Sequence, residues 1–171
     1  SGSSGAPKGV EIKRSSYENF LQWMDQEFEV SNEDVLLNST EFTFDVSLVD
    51  IGFLINNLPT LVMSKFNNDL FRLLGEIEQY KVTVIATVPN NFALIFKDEI
   101  MSRVDISFLR TILVAGSRFN ENLYQNFNKY LPDSQVYNCY GPTELTIYCL
   151  YKKFGDMHDI NKGVVSIGLP L

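Results

Sequence analysis

The chain has 171 residues with 14 basic and 21 acidic side chains, a net charge of −7, and 45% hydrophobic content, the balance of one globular domain with a sizeable core. An acidic chain with no Lys/Arg cluster excludes a nucleic-acid partner, no apolar run reaches the length of a membrane span, and no signal-peptide pattern is visible. Two cysteines ten apart (Cys139 and Cys149) and a single histidine, His158, argue against a zinc site, a disulfide framework and a Ser-His-Asp triad, and the thiols fit a reducing cytoplasm.

The chain opens on SGSSGAPKGV. Gly2, Gly5 and Gly9 let the backbone approach a ligand closely; the hydroxyls of Ser1, Ser3 and Ser4 and the charge of Lys8 suit phosphate. The spacing is not that of a Walker A loop. SGSSG alone also reads as a tag remnant, but Pro7-Lys8-Gly9-Val10 continues the pattern in register. Ser15 followed by Glu18 predicts a capping box and a helix to about Phe28, burying Tyr17, Phe20, Leu21 and Met24, with Trp23 extending that face. Val35-Leu36-Leu37 predicts a strand, and Phe42-Thr43-Phe44 another, ending at Asp45. A helical pattern runs from Val46 to about Asn57 with Leu48, Ile51 and Ile55 on one side, and Pro59 stops it.

Thr60 to Met63 predicts a strand, then Asn68 or Asp69 caps a helix with Leu70, Leu73, Leu74 and Ile77 at helical spacing. VTVIATV at 82–88 has the β-branched character of a fully covered parallel strand, ended by Pro89-Asn90. A short helix over 91–96, a polar stretch over 97–105, the buried strand TILVA at 111–115 and a helix over 120–131 follow. Strands are expected at 135–140 and 145–151, a polar loop at 156–163 and an extended piece at 166–171. Strands that alternate with helices, several of them continuous apolar runs, predict an α/β fold: a mostly parallel sheet covered by helices on both faces, in a single domain over 1–171.

The strand at 135–140 runs into NCYGPTE at 138–144, where the breaker pair Gly141-Pro142 turns the backbone and delivers a hydroxyl, Thr143, and a carboxylate, Glu144. At a sheet's carboxyl end this is the geometry α/β proteins use for a nucleotide and its metal; the bland alternative is a strand closing in a tight turn with Glu144 on the surface. With the loop at 1–10, TFDVS at 43–47, VAG at 114–116 and IGLPL at 167–171, NCYGPTE resembles the motif set of the adenylate-forming superfamily of acyl-CoA synthetases, luciferases and peptide-synthetase adenylation domains. Ser4 stands where threonine is commoner. FLQWMDQEF and FTFDVSLVDI are similar to the stand-alone ligases that load D-alanine onto a carrier protein.

The resemblance implies ATP-dependent adenylation of an amino acid and transfer to a phosphopantetheine carrier protein, with ATP and Mg²⁺ as cofactors. It implies that Ser1, Gly2, Ser3, Ser4, Gly5 and Lys8 hold the pyrophosphate end of ATP. Gly116 and Ser117 would border the base, Tyr140 stack on adenine, and Asn138 and Gly141 complete the nucleotide site. Thr143 would contact the α-phosphate and Glu144 hold Mg²⁺. Asp45 would pair with the substrate ammonium, inside a pocket of Val46, Val49, Thr87, Leu113, Ala115, Cys139, Ile147 and Tyr148. That set implies a small or apolar amino acid; cysteine is common at Ala115 in the D-alanine ligases, a departure from D-alanine. Asp45 also precedes a helix, where aspartate is a favoured N-cap, and both roles stay open at this point. The family's enzymes are considerably longer, so the chain reads as a fragment, the central subdomain, with little activity expected alone. Two alternatives stand beside this: an acyl-CoA-type carboxylic acid ligase, in which a lone carboxylate at Asp45 would be costly, and a non-catalytic nucleotide-binding module.

Overall fold

The structure, a computed structural model, describes residues 9–65, 69–155 and 160–171. A seven-stranded sheet organises them, in the order β2-β1-β3-β4-β5-β6-β9. Its strands are β1 (Val35–Asn38), β2 (Thr60–Met63), β3 (Val84–Thr87), β4 (Thr111–Val114), β5 (Gln135–Tyr140), β6 (Leu150–Lys153) and β9 (Leu169–Pro170). The first five in that order are parallel. The last two pair antiparallel, Tyr140 opposite Leu150 and Tyr151 opposite Leu169. A small hairpin, β7 (Ile160–Asn161) with β8 (Val164–Val165), stands apart.

The parallel strands need crossovers, and α2 (Ser47–Asn57), α3 (Leu70–Tyr80), α4 (Pro89–Ile95), the short α5 (Asp98–Met101) and α6 (Glu121–Tyr130) supply them, while α1 (Arg14–Glu27) precedes the first strand. Alternation along each strand divides the core in two. Leu37, Ile85, Ile112 and Val136 point to the face covered by α3, α4 and α6, whose contributions include Leu74, Phe92 and Phe127. Leu36, Val84, Leu113 and Tyr137 point to the other face, covered by Phe20 and Met24 of α1 and Val49 and Phe53 of α2. Every residue of β3 and β4 is buried, which is why both read as unbroken apolar runs.

At the amino ends of the strands, Asp34 ties three segments together. Its carboxylate accepts from Arg110 Nη2 at 2.6 and 2.7 Å, from Thr83 Oγ1 at 2.7 Å and from Ser31 N at 2.8 Å. Burial alone would raise its pKa; the bonds from Arg110, Thr83 and Ser31 outweigh it and hold the carboxyl below its ordinary value.

Several expectations need correction. Ser15 is not a cap: α1 starts at Arg14 with Lys13 at the N-cap and no side-chain cap bond, and Glu18 is taken by Arg14 Nε at 2.7 Å. Phe42-Thr43-Phe44 forms turns, not a strand, leaving Phe42 and Phe44 exposed. Leu48 and Ile55 do share a side of α2, but it is the solvent side; the buried face is Val49, Gly52 and Phe53. There Gly52 lets α1 approach, since a Cβ at that position would lie 2.7 Å from the Met24 sulfur. α4 begins on Pro89 itself, where the missing N–H is harmless. The expected strand over 145–151 is a 3-10 turn at Thr143–Leu145 and a strand only from Leu150. Asp69 caps α3, accepting from Phe71 N and Arg72 N. Asn68, His158 and the rest of 156–159 lie outside the described residues.

Candidate active site

Parallel strands all deliver their following loops to one end of the sheet, and a crevice forms there. In this chain a cleft of about 790 Å³ opens at that end. Each of its walls is the residue pair at or after a strand terminus: Asn38-Ser39 after β1, Met63-Ser64 after β2, Thr87-Val88 after β3, Ala115-Gly116 after β4 and Gly141 after β5. The turn between β1 and α2 adds Asp45 and Val46, and the loop between β5 and β6 adds Ile147 and Tyr148.

That second loop is tightly made. Cys149 N donates back to Tyr140 O at 2.8 Å, closing it. Gly141 crosses under the returning strand, where a Cβ would sit 2.3 Å from the Ile147 carbonyl oxygen and 2.6 Å from Tyr148 Cα. Thr146 and Ile147 both have positive φ, 64° and 72°, a conformation that β-branched residues rarely adopt and that tends to persist where a site demands it. The return delivers Ile147 and Tyr148 to the cleft wall and leaves Thr143 and Glu144 exposed on the 3-10 turn beside it.

The two roles left open for Asp45 separate here. α2 has Val46 at its N-cap and no side-chain cap bond. Ser47 Oγ, donating to Phe44 O at 2.7 Å, and Leu48 N, donating to Asp45 O at 2.9 Å, hold its first turn. The Asp45 carboxylate is not a cap. It is half-buried and lines the cleft, and among the described ion pairs none includes it.

Beneath the cleft lies a second acid. Asp50 on α2 is buried, accepts from Asn38 Nδ2 at 2.6 Å through one oxygen, and has no partner for the other. Burial, only partly offset by the Asn38 bond, pushes its carboxyl up to about 7. The Tyr148 hydroxyl is likewise enclosed without a partner. Burial raises its pKa first, then the charges of Cys139, Asp50 and Asp45.

Of the residues expected in the acid pocket, Asp45, Val46, Thr87, Ala115, Ile147 and Tyr148 line the cleft. Val49, Leu113 and Cys139 are buried in the core behind it. Of the nucleotide residues, Gly116 and Gly141 line it, while Ser117, Tyr140, Thr143 and Glu144 are exposed on the same end of the sheet. Tyr140 is 50% exposed at the tip of β5, free to stack on a planar ligand. Asn138 is buried and used otherwise: its Nδ2 donates to Ser166 O at 2.9 Å. Ser1, Gly2, Ser3, Ser4, Gly5 and Lys8 lie outside the described residues.

The lining residues that sequence reasoning missed include Asn38, Ser39, Thr40, Val88 and Asn91, with Glu41, Phe42, Phe44, Met63 and Ser64 beside them. The signal was available for most of them, since each of the first four follows or ends a parallel strand. Asn91 gave none; only the path of α4 brings it to the wall.

Glu144 suits a divalent cation. It is exposed, and the described ion pairs leave it free. Among the described residues no group of three or more His, Cys, Asp or Glu could hold a metal by itself. A cation at Glu144 would have to draw its remaining ligands from water or a bound anion.

The family described as AMP-binding enzyme matches residues 1–171. Bacitracin synthase 3 of Bacillus licheniformis is 34% identical over 172 residues, covering 100% of this chain and 3% of that protein. A D-alanine--D-alanyl carrier protein ligase from the same species is 29% identical over 149 residues, covering 86% of the chain and 30% of the ligase. The crystal structure of the Vibrio cholerae adenylation domain AlmE in complex with glycyl-adenosine-5'-phosphate is 25% identical and superposes with a TM-score of 0.87, covering 99% of this chain and 32% of that one. The chain thus spans about a third or less of the length of these relatives. Among the described residues no helix is long and apolar enough to cross a membrane.

Proposed function

The chain belongs to the AMP-binding enzyme family, and on that premise we propose that it forms the central part of a ligase that activates an α-amino acid with ATP and passes it to the phosphopantetheine thiol of a carrier protein. The single observation that carries this reading is Asp45, a carboxylate held on the cleft wall with no bond to the helix it precedes. No described ion pair includes this carboxylate, and an α-ammonium entering the cleft is a cation that would pair with it.

In the proposed reaction the amino-acid carboxylate attacks the α-phosphorus of ATP, the bond from that phosphorus to the bridging oxygen breaks, and pyrophosphate leaves with the electron pair. The thiol then attacks the carbonyl of the aminoacyl-adenylate, AMP departs, and the thiol proton goes to solvent. Asp45 pairs with the ammonium and so aims the carboxylate. Tyr140 stacks on adenine, with Gly116 and Ser117 at the edge of the base. Thr143 donates its hydroxyl to an α-phosphate oxygen. Ser1, Gly2, Ser3, Ser4, Gly5 and Lys8 form the pyrophosphate end. Glu144 would hold Mg²⁺, which when bound neutralises phosphate charge. Most of the acceleration in such a scheme comes from positioning and charge compensation. Small amino acids, a carrier protein, a cytoplasmic location and a catalytic domain extending beyond these 171 residues belong to the same proposal; the reduced Cys139 and Cys149 support the compartment.

The test is ATP–pyrophosphate exchange by the intact natural protein over α-amino acids and their deaminated counterparts. Exchange driven by amino acids and not by the counterparts supports the reading. Exchange driven equally by acids lacking the amine would move the chain to the acyl-ligase alternative, and nucleotide binding without exchange to the non-catalytic one.

A further inference from the structure

Thr87 and Asn91 present a donor and an acceptor side by side on the cleft wall. Thr87 ends β3 and is 6% exposed; Asn91 sits in the first turn of α4, half-buried, and both line the cleft. Asn91 Nδ2 donates to Thr87 Oγ1 at 2.9 Å. That bond uses one N–H of Asn91 and one lone pair of Thr87 Oγ1, and leaves at least a donor on Thr87 and an acceptor on Asn91 for a ligand. The Thr87 hydroxyl, having accepted, keeps its proton to donate; the Asn91 carbonyl oxygen accepts from none of the described residues. Rotating the Asn91 amide by half a turn exchanges the two roles and still leaves one donor and one acceptor, so the conclusion does not depend on how the amide is assigned.

Val88 follows Thr87 and Ala115 N donates to Thr87 O at 3.1 Å; neither offers a polar side-chain atom, while Asn38, Ser39 and Ser64 line the same cleft from the ends of β1 and β2. The formal charges on the cleft are those of Asp45 and Glu41, both negative, so an acidic side chain would meet repulsion. A purely aliphatic side chain would displace water from Thr87 and Asn91 and leave both unpaired, which is the arrangement binding sites reject most strongly. A hydroxyl or a primary amide carries both a donor and an acceptor, and either matches the pair, whereas an ammonium or guanidinium carries donors only and leaves the pair's free donor unmet.

Resting on the amino-acid-activating reading, we infer that Thr87 and Asn91 together select the substrate: an α-amino acid whose side chain bears an uncharged hydrogen-bonding group, a hydroxyl or an amide. This keeps a small side chain and replaces the apolar alternative expected from the residue types alone with a polar one. The difference is Asn91, which turns Thr87 from an isolated hydroxyl into half of a donor–acceptor pair.

Isosteric substrate pairs test it in the intact natural protein: threonine against valine, and asparagine against leucine, each by kcat/KM for amino-acid-dependent ATP–pyrophosphate exchange. The polar member of at least one pair should exceed its isostere by about 10- to 100-fold, the range for leaving one neutral hydrogen-bonding group unmet. Thr87→Val, which keeps shape and therefore the fold, should bring that ratio near one. Asn91→Ala should do the same, and the double variant should be no worse than either single one, because the two side chains act as a unit. A parent enzyme that uses valine and leucine as well as their polar isosteres overturns the inference while leaving amino-acid activation standing. So does a ratio unmoved by Thr87→Val. No exchange with any α-amino acid overturns the activating reading and this inference with it.

Discussion

Asp45→Asn isolates the charge on which the proposed function turns. The change preserves shape and hydrogen-bonding capacity and removes only the negative charge. The structure separates its two possible effects. An aspartate that capped α2 would contribute about 1 kcal/mol to stability, but α2 has no side-chain cap bond and its first turn is held by Ser47 Oγ on Phe44 O. The melting temperature should therefore move by no more than about one or two degrees. Substrate is another matter. Removing one partner of a buried ion pair costs about 3–5 kcal/mol. Asp45 is half-buried rather than enclosed, so solvent screening puts it at the lower end, about 3 kcal/mol, or about a hundred-fold in kcat/KM. Nucleotide affinity should be retained, because the proposed contacts at Gly116, Ser117, Tyr140 and Thr143 lie on other loops. The assay is amino-acid-dependent ATP–pyrophosphate exchange beside nucleotide affinity and thermal melting on the same samples. Exchange near the parent level would refute the reasoning, and a melting temperature lowered by several degrees with exchange intact would make Asp45 a structural residue after all.

Gly141→Ala should lower stability by about 1–3 kcal/mol and depress exchange, because the new methyl meets the backbone of Ile147 and Tyr148 rather than a yielding side chain; unchanged melting and unchanged exchange would contradict the close crossing. Asp50, whose carboxyl is pushed up to about 7 from 3.8, binds its proton more tightly folded than unfolded. Stability should therefore fall as pH rises from about 4 to about 7 and level off above, by at most about 4 kcal/mol from this group. Asp50→Asn should flatten that slope and raise the melting temperature at pH 8; a variant that melts lower at pH 8 would count against an unpaired buried carboxylate. Asp34 has the opposite sign, since its folded pKa is lowered. Its contribution is present above about pH 4 and is lost as pH falls through the lowered value. Asp34→Ala should cost about 3 kcal/mol at neutral pH by releasing Arg110, Thr83 and Ser31, read as a shift in the urea midpoint. A shift that persists undiminished at pH 2 would refute the charge argument.

The amino-acid sequence by itself determined the class of fold and the end of the sheet at which to look. Apolar runs such as VTVIATV and TILVA can be stable only with both faces covered, and the structure covers them. The strand at 135–140 and the breaker after it were legible for the same local reason. Local chemistry misled where two local solutions competed. Ser15 and Glu18 had the spacing of a capping box, yet the N-cap lies two residues earlier, at Lys13, and Glu18 pairs with Arg14. Phe42-Thr43-Phe44 had the alternation of a strand, yet no neighbouring strand pairs with it, and it turns to bring Asp45 to the cleft. In α2 the choice between the Leu48 side and the Val49 side depended on where α1 lies, which no periodicity encodes. Only the tertiary structure could decide the matters that depend on chain crossings. It removed Asp45 from the cap, left one oxygen of Asp50 without a partner beneath the floor, sent the Asn138 amide to Ser166 and set Asn91 against Thr87. These are contacts between side chains whose distance is set by how helices lie on the sheet, and that packing is a property of the whole core rather than of any one segment.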